Sequence, residues 1–206
     1  MIGVYDFTVI LTYISFLSGL TGIYFAISGN TFVAVICLMF SGFCDMFDGK
    51  VARLKKNRTE EEKRFGIQID SLSDLVAFSI LPSAIGYGLG VHKTIFAFSL
   101  YLLPLCGLIR LAYFNVNEEE RSSKTEEVRS EYLGLPVTTT AIIVPVIYFF
   151  RKYIPSSFTY VYGSILVITA ILFIKKFKMF KLKTRGMIIT SLIGLVILVL
   201  LIVSHL

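Results

Sequence analysis

The chain of 206 residues contains only two histidines and three cysteines. That is too few soft donors for a zinc or iron–sulfur centre. Cys37, Cys44 and Cys106 show neither ligand-like nor disulfide-like spacing. All three lie in apolar runs, where a reduced cysteine behaves as a small hydrophobe. Charge is also sparse, at 17% of residues. No basic leader precedes the first apolar stretch, and at residues 7–27 that stretch is too long for a signal-peptide core. It is therefore expected to remain as a span. No internal repeat is visible, which weighs against a transporter built from inverted repeats.

What the chain has in place of charge is apolar sequence: 55% hydrophobic residues and a mean hydropathy of +0.77. A lipid bilayer is the natural solvent for such a chain. Seven apolar segments are expected, at roughly 7–27, 31–53, 66–90, 94–116, 134–150, 157–174 and 187–204. Each is near the ~20 residues that cross a hydrocarbon core, the fifth and sixth being short. Lipid leaves backbone polar groups no outside partner, so the segments should be helices. The expected fold is all-α: a polytopic membrane helix bundle forming one domain over residues 1–206.

Basic residues orient the bundle. With the N-terminus in the cytoplasm, seventeen of the twenty Lys and Arg fall inside, around 50–64, 110–129 and 175–185. Lys93, Arg151 and Lys152 alone fall outside. Such a bias supports an odd number of spans, N-terminus in and C-terminus out. The net charge of +6 then reads as topology and attraction to anionic headgroups. No nucleic-acid partner is expected.

Of the fourteen acidic residues, most lie in polar loops or near the N-terminus. Four do not: Asp45 and Asp48 in the second segment, Asp70 and Asp74 in the third. A carboxylate in an apolar helix costs roughly 2.5–3.5 kcal/mol on the insertion scale, and four together repel one another. A divalent cation is the economical solution, and hard oxygen ligands suit Mg²⁺ or Mn²⁺. At 100° per residue Asp45, Asp48, Gly49 and Ala52 share one side of the second helix, while Gly66, Asp70 and Asp74 follow at one-turn spacing on the third. Both aspartate pairs lie toward the cytoplasmic ends of antiparallel neighbours. Gly49, Ala52 and Gly66 leave room beside the carboxylates, and Arg53 is an always-charged fork suited to phosphate. The set describes a diphosphate–metal site.

These residues, Asp45-x-x-Asp48-Gly49-x-x-Ala52-Arg53 and Gly66-x-x-x-Asp70-x-x-x-Asp74, resemble the signature of the CDP-alcohol phosphotransferase family. The gap between the halves is long by the insertion Asn57–Glu62, expected to extend the cytoplasmic loop. The resemblance implies a six-helix core, here with a seventh, C-terminal helix at 187–204, and a homodimer with its active site facing the cytoplasm of a prokaryotic cell membrane. It implies Asp45, Asp48, Asp70 and Asp74 as ligands of two ions of Mg²⁺ or Mn²⁺, with Asp74 also the general base. Asp48, Gly49, Ala52, Arg53 and Gly66 would bind the CDP diphosphate. The segments Arg110-Leu111-Ala112-Tyr113-Phe114-Asn115 and Gly134-Leu135-Pro136 look like those of the serine-transferring branch, with Tyr113 and Val137-Thr138-Thr139 as departures. They imply CDP-diacylglycerol and L-serine as substrates, with Arg110, Asn115 and Pro136 on the acceptor side.

Other readings stay open at this stage. Glycerol 3-phosphate or an inositol phosphate is the alternative acceptor, although a phosphorylated acceptor would call for more basic residues than Arg110. Arg110 can equally be an interface residue that snorkels. From a different class, intramembrane carboxylates serve cation transporters, which would place them nearer the bilayer middle. Loop 118–131, charged with both signs, is expected to be solvated.

Overall fold

The computed structural model describes residues 3–122, 131–180 and 184–205. Seven helical rods run through it, at the seven places where apolar sequence required them. They are α1 (Ile10–Ile27), α2 (Thr31–Ala52), a third rod made of α3 (Glu60–Leu75) and α4 (Leu81–Gly88), α5 (Ser99–Ser122), α6 (Thr140–Phe149), α7 (Phe158–Ile174) and α8 (Thr184–His205). The stretches Ile10–Ile27, Thr31–Ala52, Glu60–Gly88 and Ser99–Asn117 are long and apolar enough to cross a membrane, while α7 and Ile189–Ser204 are shorter apolar helices. The protein is an integral membrane protein built as a polytopic helical bundle. One two-stranded antiparallel ladder joins β1 (Glu131–Leu133) to β2 (Lys178–Phe180).

α1 explains the packing logic. Its buried residues are Thr12, Ser15, Gly19, Gly22 and Ala26, a stripe of small side chains at helical spacing. Its large residues Leu17, Leu20, Tyr24 and Ile27 are exposed. Small residues inside and large ones toward lipid let helix backbones approach closely. A Cβ on Gly19 would stand 3.2 Å from the Ala77 Cα, and one on Gly22 would crowd Leu81 and Cys37 at 2.8–2.9 Å. Ser15 and Ser41 exchange hydrogen bonds with each other's carbonyls at 3.3 and 3.0 Å, and Ser18 donates to the Cys37 carbonyl at 2.9 Å. Gly29, at φ +87°, reverses the chain into α2, whose first turn is capped by the Asn30 side chain accepting from the Val33 N–H.

The third rod is interrupted by a π turn at Val76–Ile80. Pro82 accounts for the unusual local bonding. Lacking an N–H, it cannot serve the Phe78 carbonyl four residues back. Thr140 at the start of α6 supplies the donor instead, its hydroxyl 2.8 Å from that carbonyl. A neighbouring threonine commonly rescues a proline-broken membrane helix in this way. Around the turn lies the core: Ala34, Val35, Leu38, Ala77, Phe78, Leu81, Ile85 and Leu103 are fully buried.

Boundaries differ from the sequence expectation, and α5 also runs on to Ser122, past the expected 116. The third rod starts at Glu60, not 66, because the insertion folds into helix: Thr59 caps it by accepting from the Glu62 N–H, and Glu62 returns a bond to the Thr59 N–H. Residues 91–98 form a 3₁₀ turn and further turns, so α5 begins at Ser99. The fifth segment is helical only from a 3₁₀ turn at Val137–Thr139 onward. Most of loop 118–131 lies outside the described residues or has no described side chain.

Candidate active site and metal centre

The chain turns back between Arg53 and Thr59, so the end of α2 and the second half of α3 face each other across a gap that their carboxylates span, while α3 itself packs on α1 and α5. Lys55 fastens this turn. Its ammonium is 2.7 Å from both the Asp6 and Glu62 carboxylates, tying the N-terminal segment, the turn and the start of α3 together. Lys55 and two hydrogen bonds from Thr8 hold the Asp6 carboxyl down at about 2, below the usual carboxylate range.

With the helices so placed, Asp45, Asp70 and Asp74 each offer a carboxylate oxygen within 4.8 Å of the others. Asp45 and Asp74 are within hydrogen-bonding reach, as are Asp48 and Asp70. So the two helices interleave their carboxylates, and three of the four form a group compact enough for a single ion. Asp48 stands at its edge, taking a 3.4 Å hydrogen bond from the Thr12 hydroxyl of α1. The all-carboxylate donor set fits a hard divalent cation and offers nothing to a soft one. Such an ion would also offset the repulsion among the acids.

The flanking residues divide. Nothing stands within 4 Å of a Cβ built on Gly49, so the space beside Asp48 is open. Ala52 ends α2 and Arg53, exposed, is its C-cap within electrostatic reach of Asp48. The space at Gly66 is taken. A Cβ there would lie 2.7 Å from the Arg58 guanidinium, which donates to the Glu62 carbonyl at 3.0 Å. Arg58 belongs to the insertion, so the insertion brings a cation to the signature glycine.

The acceptor-side residues also separate. Asn115 reaches α3: its amide accepts from Ser71 at 2.7 Å and donates to Gln68 at 3.2 Å, beside Asp70. Pro136 leads into the 3₁₀ turn that packs on α3 and the π turn, and its carbonyl accepts from Thr139. Arg110 faces the other way, toward α7. It donates to the Phe173 carbonyl at 3.4 Å, stands against Gly134, and borders a cavity of about 320 Å³ shared with Tyr113, Asn117 and Lys175. Gly134 has φ +73° and a Cβ there would stand 2.9 Å from the Lys175 carbonyl oxygen, so both backbone conformation and space favour glycine.

Sequence reasoning missed Thr12, Ser71 and Arg58. Thr12 carried a weak signal, a hydroxyl on the small-residue stripe of α1. Arg58 carried none, being one of seven cations between 50 and 64.

The sequence profile of CDP-alcohol phosphatidyltransferases matches residues 7–175, and the chain belongs to that family. Among curated proteins it is similar to a CDP-diacylglycerol–serine O-phosphatidyltransferase of Saccharomyces cerevisiae, 36% identical over 152 residues, covering 68% of this chain and 54% of that protein. The protein of the same name from Helicobacter pylori is 34% identical over 143 residues, covering 68% and 56%. An archaetidylserine synthase of Methanothermobacter thermautotrophicus is 30% identical over 157 residues, covering 75% and 63%. The chain thus spans little more than half the length of the first two relatives.

Proposed function

We propose that this protein is a metal-dependent transferase that moves the phosphatidyl group of CDP-diacylglycerol to the hydroxyl of L-serine, giving phosphatidylserine and CMP. The observation that carries the reading is the meeting of Asp45, Asp70 and Asp74 at the matching family signature. The serine-transferring names of the relatives, from yeast, a bacterium and an archaeon, support serine as acceptor.

In this reading Asp45, Asp48, Asp70 and Asp74 hold one or two Mg²⁺ or Mn²⁺ ions. Bound there, the metal supplies charge neutralisation for the diphosphate and the departing CMP. Arg53 grips the diphosphate, and the open space at Gly49 and Ala52 admits the nucleotide. Arg58, over Gly66, adds a second guanidinium on that side. Asp74 takes the serine hydroxyl proton. The serine oxygen forms a bond to the lipid phosphorus, the bond from that phosphorus to the bridging oxygen breaks, and CMP leaves with that oxygen. Asn115 and Pro136 flank the acceptor side by their position against α3. For Arg110 to meet the serine carboxylate, it would have to leave the Phe173 carbonyl. The acyl chains stay in the lipid.

The seventeen-to-three split of basic residues supports a cytoplasmic site, N-terminus in and C-terminus out. Residues 1–206 act as one catalytic domain in a prokaryotic membrane, as a homodimer, with α8 added to a six-helix core. An acceptor screen tests the proposal: purified protein, CDP-diacylglycerol and Mg²⁺ or Mn²⁺, with serine, glycerol 3-phosphate or inositol phosphate in parallel. CMP should be released with serine and should cease on chelation. Release with a phosphorylated acceptor alone would refute serine, and release in chelated buffer would refute the metal.

A further inference from the structure

The two ends of the bundle differ in charge. No Asp or Glu occurs in residues 7–44, 75–117 or 132–206. The turns at the end away from the aspartates therefore have no side-chain carboxylate. Thr31 opens α2 at that end, about 21 Å along the helix from Asp45 at 1.5 Å per residue. Here Arg151 is held in place: its Nη1 donates to the Tyr148 hydroxyl at 3.0 Å and to the Thr31 hydroxyl at 3.4 Å. Those two hydroxyls are themselves 3.0 Å apart and buried. The guanidinium lies 5.6 Å from the Tyr148 ring centre, and the Lys152 ammonium 5.2 Å from that of Tyr153. Both cations border a cavity of about 430 Å³ whose other walls include Phe32, Leu89, Phe158 and Leu201.

Arg151 is exposed and its bonds among the described residues use Nη1 alone, so Nε and Nη2 remain as a fork for an oxyanion. A fixed fork, a neighbouring ammonium and apolar walls at a membrane boundary match one chemistry. We propose that this cavity binds the phosphodiester of an anionic phospholipid, with Arg151 and Lys152 on the headgroup and the acyl chains along the apolar walls. A free inorganic anion would leave those walls against water, whereas a lipid covers them. The site is separate from the aspartate centre and does not depend on the function proposed for it.

The chain has no tryptophan, so Phe150→Trp places a single fluorophore beside the cavity. The protein carrying it is reconstituted in vesicles holding a small fraction of brominated phosphatidylglycerol or brominated phosphatidylcholine. Quenching should report a preference for the anionic lipid of roughly fivefold or more, the effect of one cation near a lipid surface. Adding Arg151→Gln and Lys152→Gln should remove the preference while leaving the melting temperature of the reconstituted protein unchanged. Lys175→Gln with Lys176→Gln, at the other end, should keep it. Equal quenching by both lipids in the parent overturns the proposal, as does a preference that survives loss of both cations. Inorganic phosphate that abolishes the preference, where chloride at matched ionic strength does not, would assign the cavity to a free anion and overturn the lipid.

Discussion

α2 and α3 each bring two aspartates to the same place, and they are held there by different means. α2 is held by packing. Ala34, Val35, Leu38, Ser41 and Cys44 are buried along it, and Gly42 lies so close to α6 that a Cβ would stand 2.6 Å from that of Ala141. α3 buries only Ser73 among its sixteen residues. It is positioned by polar contacts: the Thr59–Glu62 cap, the Lys55 bridge, the Ser71–Asn115–Gln68 set, and the Ser73 hydroxyl on the Thr12 carbonyl at 3.2 Å. Packed helices resist displacement collectively, whereas a hydrogen-bonded helix depends on a few named atoms. The site therefore has a rigid wall and an adjustable one, and Asp74 stands on the adjustable one.

The largest effect expected is on chemistry. Asp74→Asn should lower kcat by about 10²–10⁴-fold, the range for loss of a general base, while donor binding by the remaining carboxylates persists. Near-normal turnover would remove Asp74 from that role. Next, the packed wall: Gly42→Val forces α2 from α6 and should cost about 1–3 kcal/mol of stability. Because Asp45 is one turn away, kcat should fall along with the melting temperature. A drop in kcat with an unchanged melting curve would mean that packing does not position α2. The polar wall should behave in the opposite manner. Asn115→Ala frees α3 from α5 and should reduce kcat/KM roughly 10-fold, as misplacement of a reacting group does, with little change in melting temperature. If the KM for serine alone rises, Asn115 touches the acceptor and does not merely hold α3.

The smallest effect concerns the tether at Lys55. The Asp6 carboxyl sits at about 2 against an ordinary 3.8. A depressed carboxylate contributes stability above its ordinary value and loses it as pH falls toward the folded one. Asp6→Asn should therefore lower the melting temperature by about 2 °C or less, as partly exposed ion pairs do. The difference should be the same at pH 6 and pH 8 and shrink only in strong acid. A difference that varies between pH 6 and 8 would show another group in control.

The contrast between the walls also explains what the sequence could reveal. Hydropathy located all seven rods, because lipid demands apolar length and little else. It misplaced the start of α3, whose first turn is Glu60-Glu61-Glu62-Lys63-Arg64; the relevant signal was Thr59 three residues before Glu62, a local cap and not an apolar run. It also extended the fourth segment back to 94, since turns at 91–98 are as apolar as helix. The aspartates were legible because carboxylates in apolar sequence are conspicuous and their spacing fixes a helical face. Arg110 was not, because its neighbour Phe173 is 63 residues away and no local pattern encodes that meeting. Thr12 was hidden for the same reason, 36 residues from Asp48.

The π turn at Val76–Ile80 has a consequence for how this protein can change. It sits between Asp74 and the buried run Leu81 to Gly86, and it absorbs the mismatch between two rotational registers on one rod. Substitutions in the turn leave both registers where they are. Removing one residue would rewind the rod by about 100° and carry Asp70 and Asp74 away from Asp45 together. Length at this point is thus a harder constraint on the lineage than side-chain identity, and deletions should be rarer here than in the insertion at 57–62 barely two turns upstream of Asp70.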